Sequence, residues 1–356
     1  MNYNSILITG GAGFVGSNLA VLFKQKYPRI RIIALDNLKR RGSELNLARL
    51  KEHEIEFLHG DIRNSEDLEL KGKIDLLIEC SAEPSVLAGY NENPGYIINT
   101  NLCGAINCFE LARKNKADVV FLSTSRVYAY DELNDIKFTE TATRFEWAKK
   151  QKAAGWTLNG LKTDFSTEGP KSMYGATKLC CEVLLREYAR MYGVRAIINR
   201  CGVIAGPWQF GKADQGIFTF WMLAHYFKKP VKYIGFGGRG KQVRDLMHVN
   251  DLFALLDRQI AHISKASGRI YNAGGGRFAN LSLLETTCLC EKITGNKLTI
   301  LSDRNDRPAD VRIYISDNGQ ASDDFGWKPQ IPREKILEDI FGWIRSHERK
   351  ITSTII

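Results

Sequence analysis

Long apolar runs, C-x-x-C pairs, repeats and low-complexity tracts are all missing from this 356-residue chain, and each absence removes a class of function. A bilayer-spanning helix needs about 20 consecutive apolar residues, and no such stretch is present. The apolar run that starts at Ile6 is too short for the hydrophobic part of a secretion signal and leads directly into glycines, so it reads as a strand. The cytoplasm is the expected location. Eight cysteines (80, 103, 108, 180, 181, 201, 288 and 290) include no C-x-x-C pair, and the six histidines are scattered. That pattern excludes a zinc module and a disulfide scaffold and predicts buried free thiols, with no metal site. Acids are the scarcer charge, 40 Asp and Glu against 50 Lys and Arg, for a net charge of +10. Such a field suits polyanions. Without a long basic run or an arginine-aromatic repeat, nucleic acid is not the expected partner, and the phosphates of a small nucleotide use the same field. A hydrophobic content of 44% and a charged content of 25% are those of an ordinary globular protein.

What the chain does contain is concentrated first in residues 6–16, Ile-Leu-Ile-Thr-Gly-Gly-Ala-Gly-Phe-Val-Gly. A strand-type run enters a turn with glycines at 10, 13 and 16, and a helical stretch, Ser17 to Lys26, follows. Glycine is required where the turn is tight, where backbone approaches a pyrophosphate, and where helix packs near strand. The helix N-terminus then offers unpaired N–H groups to phosphate oxygens. A second apolar run, Ile30 to Leu35, ends in Asp36, twenty residues beyond Gly16. That context makes dinucleotide binding the reading.

The first half alternates strand and helix patterns. Candidate strands are Ser5–Thr9, Arg31–Asp36, Ile55–Gly60, Leu76–Ser81, Asp118–Thr124 and Val194–Arg200, with helices at Tyr96–Lys114 and Ser172–Met191. Near-continuous apolar strands predict an α/β fold, a Rossmann-like doubly wound parallel sheet buried on both faces. Residues following Thr9, Asp36, Ser81 and Thr124 should converge on one crevice beyond the strand ends. After Arg200, glycine-rich turns and helices at Asp251–Ala261, Ser282–Thr294 and Arg333–His347 predict a smaller α/β substrate-binding lobe. The expected division is a dinucleotide domain at 1–200 and a second lobe at 201–350. Segment 131–170 reads as an insertion near the site mouth, and Lys350 to Ile356 as a fraying end.

Tyr174-Gly-Ala-Thr-Lys178 sets a phenol and an ammonium one helical turn apart. A free phenol has a pKa near 10, and a neighbouring ammonium favours the phenolate, so tyrosine can act as general base near neutral pH. By itself this spacing is common on solvated helices; after a dinucleotide turn it points to chemistry. Ser123-Thr124-Ser125 closes the fifth strand, where a hydroxyl can share a substrate proton with Tyr174 or simply cap a turn. Asp36 can accept from both ribose hydroxyls and repels a 2′-phosphate, favouring NAD over NADP, although Lys39, Arg40 and Arg41 follow closely. Asp61-Ile62 closes the third strand, placed for adenine or as a plain turn. Arg244-Asp245-Leu-Met-His248-Val-Asn-Asp251 and Arg307-Pro-Ala-Asp310 bring arginines suited to phosphate, with an Arg244–Asp245 surface ion pair as the alternative.

Together these motifs resemble the extended short-chain dehydrogenase/reductase family of nucleotide-sugar epimerases and dehydratases, over nearly the whole chain. Several longer stretches are similar to its CDP-paratose 2-epimerases, also called CDP-tyvelose 2-epimerases. They are Ser81-Ala-Glu-Pro-Ser-Val86, Ser123-Thr-Ser-Arg-Val-Tyr128, residues 199–207, Gln209-Phe-Gly-Lys212, Phe236-Gly-Gly238 and Gly240-Lys-Gln-Val-Arg-Asp245. The resemblance implies Thr124, Tyr174 and Lys178 as catalytic residues. It implies NAD held by Gly10, Gly13, Phe14, Val15, Gly16, Asp36, Asn37, Arg40, Asp61, Ile62, Ser81, Ala82, Asn101, Tyr174, Lys178 and Cys201. A nucleotide-diphosphate sugar, with CDP favoured, would meet Glu83, Ser125, Arg126, Gln209, Gln215, Gly216, Lys232, Tyr233, Arg244, Arg307 and Asp310. Transient oxidation at C2 and a homo-oligomer are further implications. Family dehydratases carry Asp-Glu after the threonine; Ser125 and Arg126 stand there, which argues against loss of water and leaves 4-epimerisation open. The intact Tyr174–Lys178 pair speaks against a non-catalytic relative. Ala129 and Ala309 replace family glycines and put the local loop shapes in question.

Overall fold

A computed structural model describes residues 2–211 and 215–355. Lys212, which closes the Gln-Phe-Gly-Lys stretch, and Ile356 lie outside the described residues. In chain order, the elements that carry the argument are β1 (Ser5–Thr9), α1 (Phe14–Lys26), β2 (Arg31–Asp36), β3 (Glu56–His59), β4 (Leu76–Glu79), α2 (Gly104–Asn115) and β5 (Asp118–Thr124). Next come α3 (Ser172–Tyr192), β6 (Ala196–Cys201), β7 (Val203–Ala205), α4 (Ile217–Tyr226), β8 (Val243–His248), α5 (Val249–Ala261) and β9 (Ile270–Ala273). The chain ends with β10 (Asn280–Ser282), α6 (Leu283–Thr294), β11 (Ile313–Tyr314), α7 (Arg333–Ser346) and α8 (Glu348–Ile355). Among the described residues no helix is long and apolar enough to cross a membrane.

The apolar strands form one seven-stranded parallel sheet in the order β9-β6-β5-β4-β1-β2-β3. Successive strand residues point to opposite faces, so Ile6 and Ile8 meet Leu19 and Phe23 of α1 and Leu252 and Leu256 of α5. Leu7, Val119 and Phe121 face the other way, onto Phe109 of α2 and Cys181 and Leu185 of α3. Helices on both faces explain why these strands read as continuous apolar runs rather than alternating ones. The order reverses at β1, with β2 on one side and β4 on the other, which opens a crevice at their carboxyl ends.

A second sheet places β8 between β7 and β10, with β11 also paired to β8. Its core gathers Trp221 and Met222 of α4, Cys290 of α6, and Ile336, Ile340 and Trp343 of α7. A capping box at Ser282 and Glu285 starts α6: each side chain accepts the other residue's backbone N–H.

Several expectations change. Residues 249–273 return to the first sheet and supply its seventh strand, β9, which the sequence did not announce. Helix α1 begins at Phe14 rather than Ser17, and the helix expected over 96–114 is interrupted by a π turn at Asn99–Cys103. Up to Ile355 the C-terminal segment is helical: α8 buries Ile351, and Tyr226 donates to Glu348 at 2.9 Å. All eight cysteines are free as expected, but 103, 180 and 288 are exposed. Segment 131–170 adds the end of a short helix, Tyr130–Asp135, and two short hairpins, which pack through Leu133, Phe145, Trp147 and Leu161 against Val243, Ile313 and Tyr314 of the second sheet; Asn134 donates to the Asp310 carbonyl at 3.0 Å, beside the crevice.

Candidate active site

The crevice between the two layers has a volume of about 890 Å³, near the top of the roughly 300–1,000 Å³ range of ligand sites. Its floor is the glycine turn. Gly10 takes a left-handed φ of 63°, and a Cβ on Gly16 would fall 2.2 Å from the Gly10 carbonyl oxygen, so α1 can dock on the turn only through glycine. A Cβ on Gly13 would meet only that same carbonyl; the rest of its surroundings is crevice. No side chain caps α1 and its first turn holds no acid, so Phe14, Val15 and Gly16 present an open, positive helix end. Asn46, which the sequence reading missed, donates from its buried amide to the Ala12 carbonyl at 2.8 Å and steadies the turn.

Asp36 accepts from Ala12 N at 3.1 Å and Leu38 N at 2.8 Å. Burial pushes its carboxyl up, and these N–H groups pull it back. Asn37 donates to Asp61 at 2.8 Å, and Arg63 holds the Asp61 carboxyl well below the usual range. Ile62 lines the same wall. Lys39 sits over the Tyr96 ring, and Arg40 donates to the Phe210 carbonyl at 2.8 Å, so both cations are already engaged.

The reactive groups meet at the ends of β4, β5 and β6. A Cβ on Gly175 would come 2.0 Å from the Arg126 carbonyl oxygen, so this glycine lets α3 press Tyr174 against the loop after β5. Thr124 Oγ1 accepts from Arg126 N at 3.1 Å, which leaves its own proton to donate towards the Tyr174 oxygen and favour the phenolate. Burial acts in the opposite sense and pushes the Tyr174 phenol up; Lys178 and Arg126 counter it. Lys178 Nζ lies 3.4 Å from Glu79 Oε2 and 3.3 Å from the Ser81 carbonyl oxygen. Glu79 is the most consequential residue missed from sequence: it is fully buried at the end of an apolar strand. Ser81, Ala82, Glu83 and Cys201 line the crevice beside these groups. Burial raises the Cys201 thiol to about 12, so it is a neutral wall and not a nucleophile. Asn101, expected to touch cofactor, lies behind the wall in the π turn. Its side chain accepts from Glu83 N at 2.7 Å and donates to the Glu83 carbonyl at 3.0 Å, clamping that loop.

The second lobe closes the crevice from the other side. Arg244 pairs with Asp310 at 2.6 Å, and Arg126 donates to the Ala309 carbonyl at 3.1 Å. Arg307, Ser125, Gly216 and Lys232 line the same region, Lys232 paired with Asp303 at 3.1 Å. Gln209 lines it too, but its amide is committed to Ile204 and Thr219. Gln215 is different: it lines the crevice, and its Oε1 is buried without a hydrogen-bond partner among the described residues. Tyr233 does not line the crevice; it stacks on Trp221 and shares a hydrogen bond with Thr287. Arg244 and Asp245 form no surface pair. Asp245 is buried, accepts from Gly276 N and Ser316 N, and is raised to about 6 by desolvation. The rest of that motif is structural: His248 caps α5 through Asn250 N, and Asp251 accepts from Gln330 N and Ile331 N.

A family profile described as "NAD dependent epimerase/dehydratase family" matches residues 6–274. The chain belongs to this family. Among its relatives, CDP-paratose 2-epimerase of Salmonella typhi is 30% identical over 96% of this chain and 99% of its own length. UDP-glucuronate 4-epimerase of Thermodesulfobacterium geofontis is 27% identical, covering 98% of each chain. In fold, the chain is similar to UDP-glucose 4-epimerase from Bifidobacterium longum, solved with NAD+ and UDP, at a TM-score of 0.79 and 21% identity over 97% of this chain and 99% of that one.

Proposed function

We propose that the protein epimerises a nucleotide-diphosphate sugar, and that its substrate is CDP-paratose or CDP-tyvelose, inverted at C2. The observation that carries the reaction class is the meeting of Thr124, Tyr174 and Lys178 in the crevice floored by the glycine turn. The finer choice is supported by the whole-length likeness to the Salmonella typhi enzyme and by the runs that resemble its class.

The residues fit a dinucleotide. The open helix end at Gly13, Phe14, Val15 and Gly16 would take the pyrophosphate, and Asp36 the adenosine ribose. Asn37, Asp61 and Ile62 would line the adenine side, and Ser81, Ala82 and Cys201 the nicotinamide side. Bound NAD supplies a reversible hydride acceptor, which lets one sugar carbon become a ketone and be reduced from its other face with no net redox change. Tyr174 removes the hydroxyl proton of the sugar and returns it. Thr124 donates to the oxygen that carries the developing charge, and Lys178 favours the phenolate form of the base. Arg244 and Arg307 hold the diphosphate, while Gln215 Oε1 accepts from a donor on the nucleotide sugar. Ser125 and Arg126 hold the positions after Thr124 where a dehydration would need carboxylic acids; neither can serve as one.

Incubation with CDP-tyvelose and with UDP-galactose, followed by proton NMR, tests the choice. CDP-paratose should appear in the first tube. Conversion of the UDP sugar alone would make the protein a 4-epimerase and overturn the CDP assignment.

A further inference from the structure

We propose that Glu79 is a positioning residue for the reaction, a sealed anion that keeps Lys178 protonated and aimed at the crevice beside Tyr174. The proposal rests on Tyr174 being the base.

Strand β4 lies between β1 and β5, in the interior of the seven-stranded sheet. Leu76, Leu77 and Ile78 are buried there for packing, and the next residue is a carboxylic acid at 0% exposure. A buried charge without compensation costs several kcal/mol, so an acid at this place is sustained by its partners. Those partners are specific. Lys178 Nζ lies 3.4 Å from Oε2, and Ser81 N donates to Oε1 at 2.9 Å. The ammonium is 2% exposed and is also held at 3.3 Å from the Ser81 carbonyl oxygen and 4.5 Å from the centre of the Phe121 ring. The same tripeptide turn therefore fixes both ends of the pair.

The other titratable groups that act on Lys178 are Tyr174 and Cys181 on its own helix, Cys80 beyond β4, Cys201 on β6 and Cys108 on α2. Burial raises all four thiols, so they stay neutral at working pH. Tyr174 carries charge only while it acts as base, and Arg126 reaches Tyr174 from the loop after β5. Burial pushes the Glu79 carboxyl up, and the Lys178 ammonium 3.4 Å away and the Ser81 N–H pull it back, so the pair holds its two charges together and Glu79 is the anion in this group. Without it, desolvation would press the ammonium towards the neutral amine, which cannot stabilise a phenolate. Glu79 thus acts through Lys178 and touches neither substrate nor cofactor.

The test reads the lysine directly. Protein carrying 13C-labelled lysine is titrated by NMR, and the Lys178 Cε signal is assigned by its loss in Lys178→Met. In the parent the signal should keep its ammonium position beyond the pH at which an ordinary lysine titrates, and in Glu79→Gln the titration should move down by at least about one pH unit, tenfold in proton affinity. The pH–rate profile of Glu79→Gln, on whichever nucleotide sugar is converted, should gain a fall on the alkaline side displaced by the same interval. A folded Glu79→Gln protein with an unmoved Lys178 titration overturns the proposal. So does a moved titration with a rate profile parallel to the parent. If Glu79→Gln does not fold, Glu79→Asp keeps the charge one methylene further away and should show a smaller displacement in the same direction; none would again refute it. Because the titration needs no sugar, a moved signal in a protein that converts no sugar supports the clamp and counts against the epimerase reading alone.

Discussion

Two ion pairs face the crevice from opposite sides, and they are built for opposite purposes. Lys178 and Glu79 lie 3.4 Å apart with side chains 2% and 1% exposed, closed off behind the strand ends. Arg244 and Asp310 lie 2.6 Å apart at 15% and 17% exposure, at the crevice surface. In the first pair neither charge can leave, because a buried ion stripped of its partner is penalised by several kcal/mol. In the second, water reaches both ends, and in the proposed function a phosphate takes the guanidinium fork that Asp310 now occupies. The cofactor half of the crevice is rigid because it is set by backbone: a glycine turn, strand ends, a helix terminus. The second-lobe half is set by long side chains that can change partners. Rigid groups suit bond making; exchangeable groups suit binding and release.

Kinetics can break or sharpen this contrast. Removing the phenol in Tyr174→Phe should lower kcat by about 10²–10⁴-fold, the usual contribution of a positioned base, with KM changed by less than about threefold. Removing the fork in Arg244→Gln should do the reverse. Charged hydrogen bonds contribute about 1.5–3 kcal/mol, so KM should rise roughly 10- to 100-fold with kcat nearly kept. Steady-state kinetics on the converted nucleotide sugar measures both. An Arg244→Gln variant that loses kcat as severely as Tyr174→Phe would show that the second pair is also part of the rigid machinery, and the contrast would fail.

The rigid half was the more legible in sequence, for the same physical reason. A turn that excludes Cβ atoms must be written in glycine, and a sheet buried on both faces must be written in apolar runs, so Gly10, Gly16 and strands β1, β2 and β5 stand out. What depends on side-chain direction did not. In the strand Lys232–Ile234 successive residues face opposite ways, so Lys232 reaches the crevice while Tyr233 enters the core. The same alternation separates Arg244 from Asp245 on β8 and rules out a pair between them. Asn101 is turned behind the wall by a π turn that no periodicity announces. Glu79 reads as a polar end to an apolar strand because its partner lies 99 positions along the chain. Strand β9 is short, and its buried Asn272, which accepts from Tyr128 at 2.7 Å, breaks the apolar pattern.

Ala309 offers the finest test, because it sits in the exchangeable half next to Asp310 and adopts a glycine conformation. Its φ is +55°, its side chain is buried, and its carbonyl accepts from Arg126. The loop shape put in question by losing a family glycine is therefore of the kind a glycine adopts, with a Cβ in place. A Cβ in the left-handed region costs roughly 1–2 kcal/mol, while glycine adds about 0.4–1 kcal/mol of unfolded-state entropy. The two effects oppose each other in Ala309→Gly, so chemical denaturation should register a gain between zero and about 1.5 kcal/mol. KM for the nucleotide sugar should stay within about twofold, since the Arg126 contact is made by backbone and survives the change. A loss of stability would mean that the loop prefers another conformation in the folded protein, and Asp310 would then be held less firmly against Arg244 than the 2.6 Å contact implies.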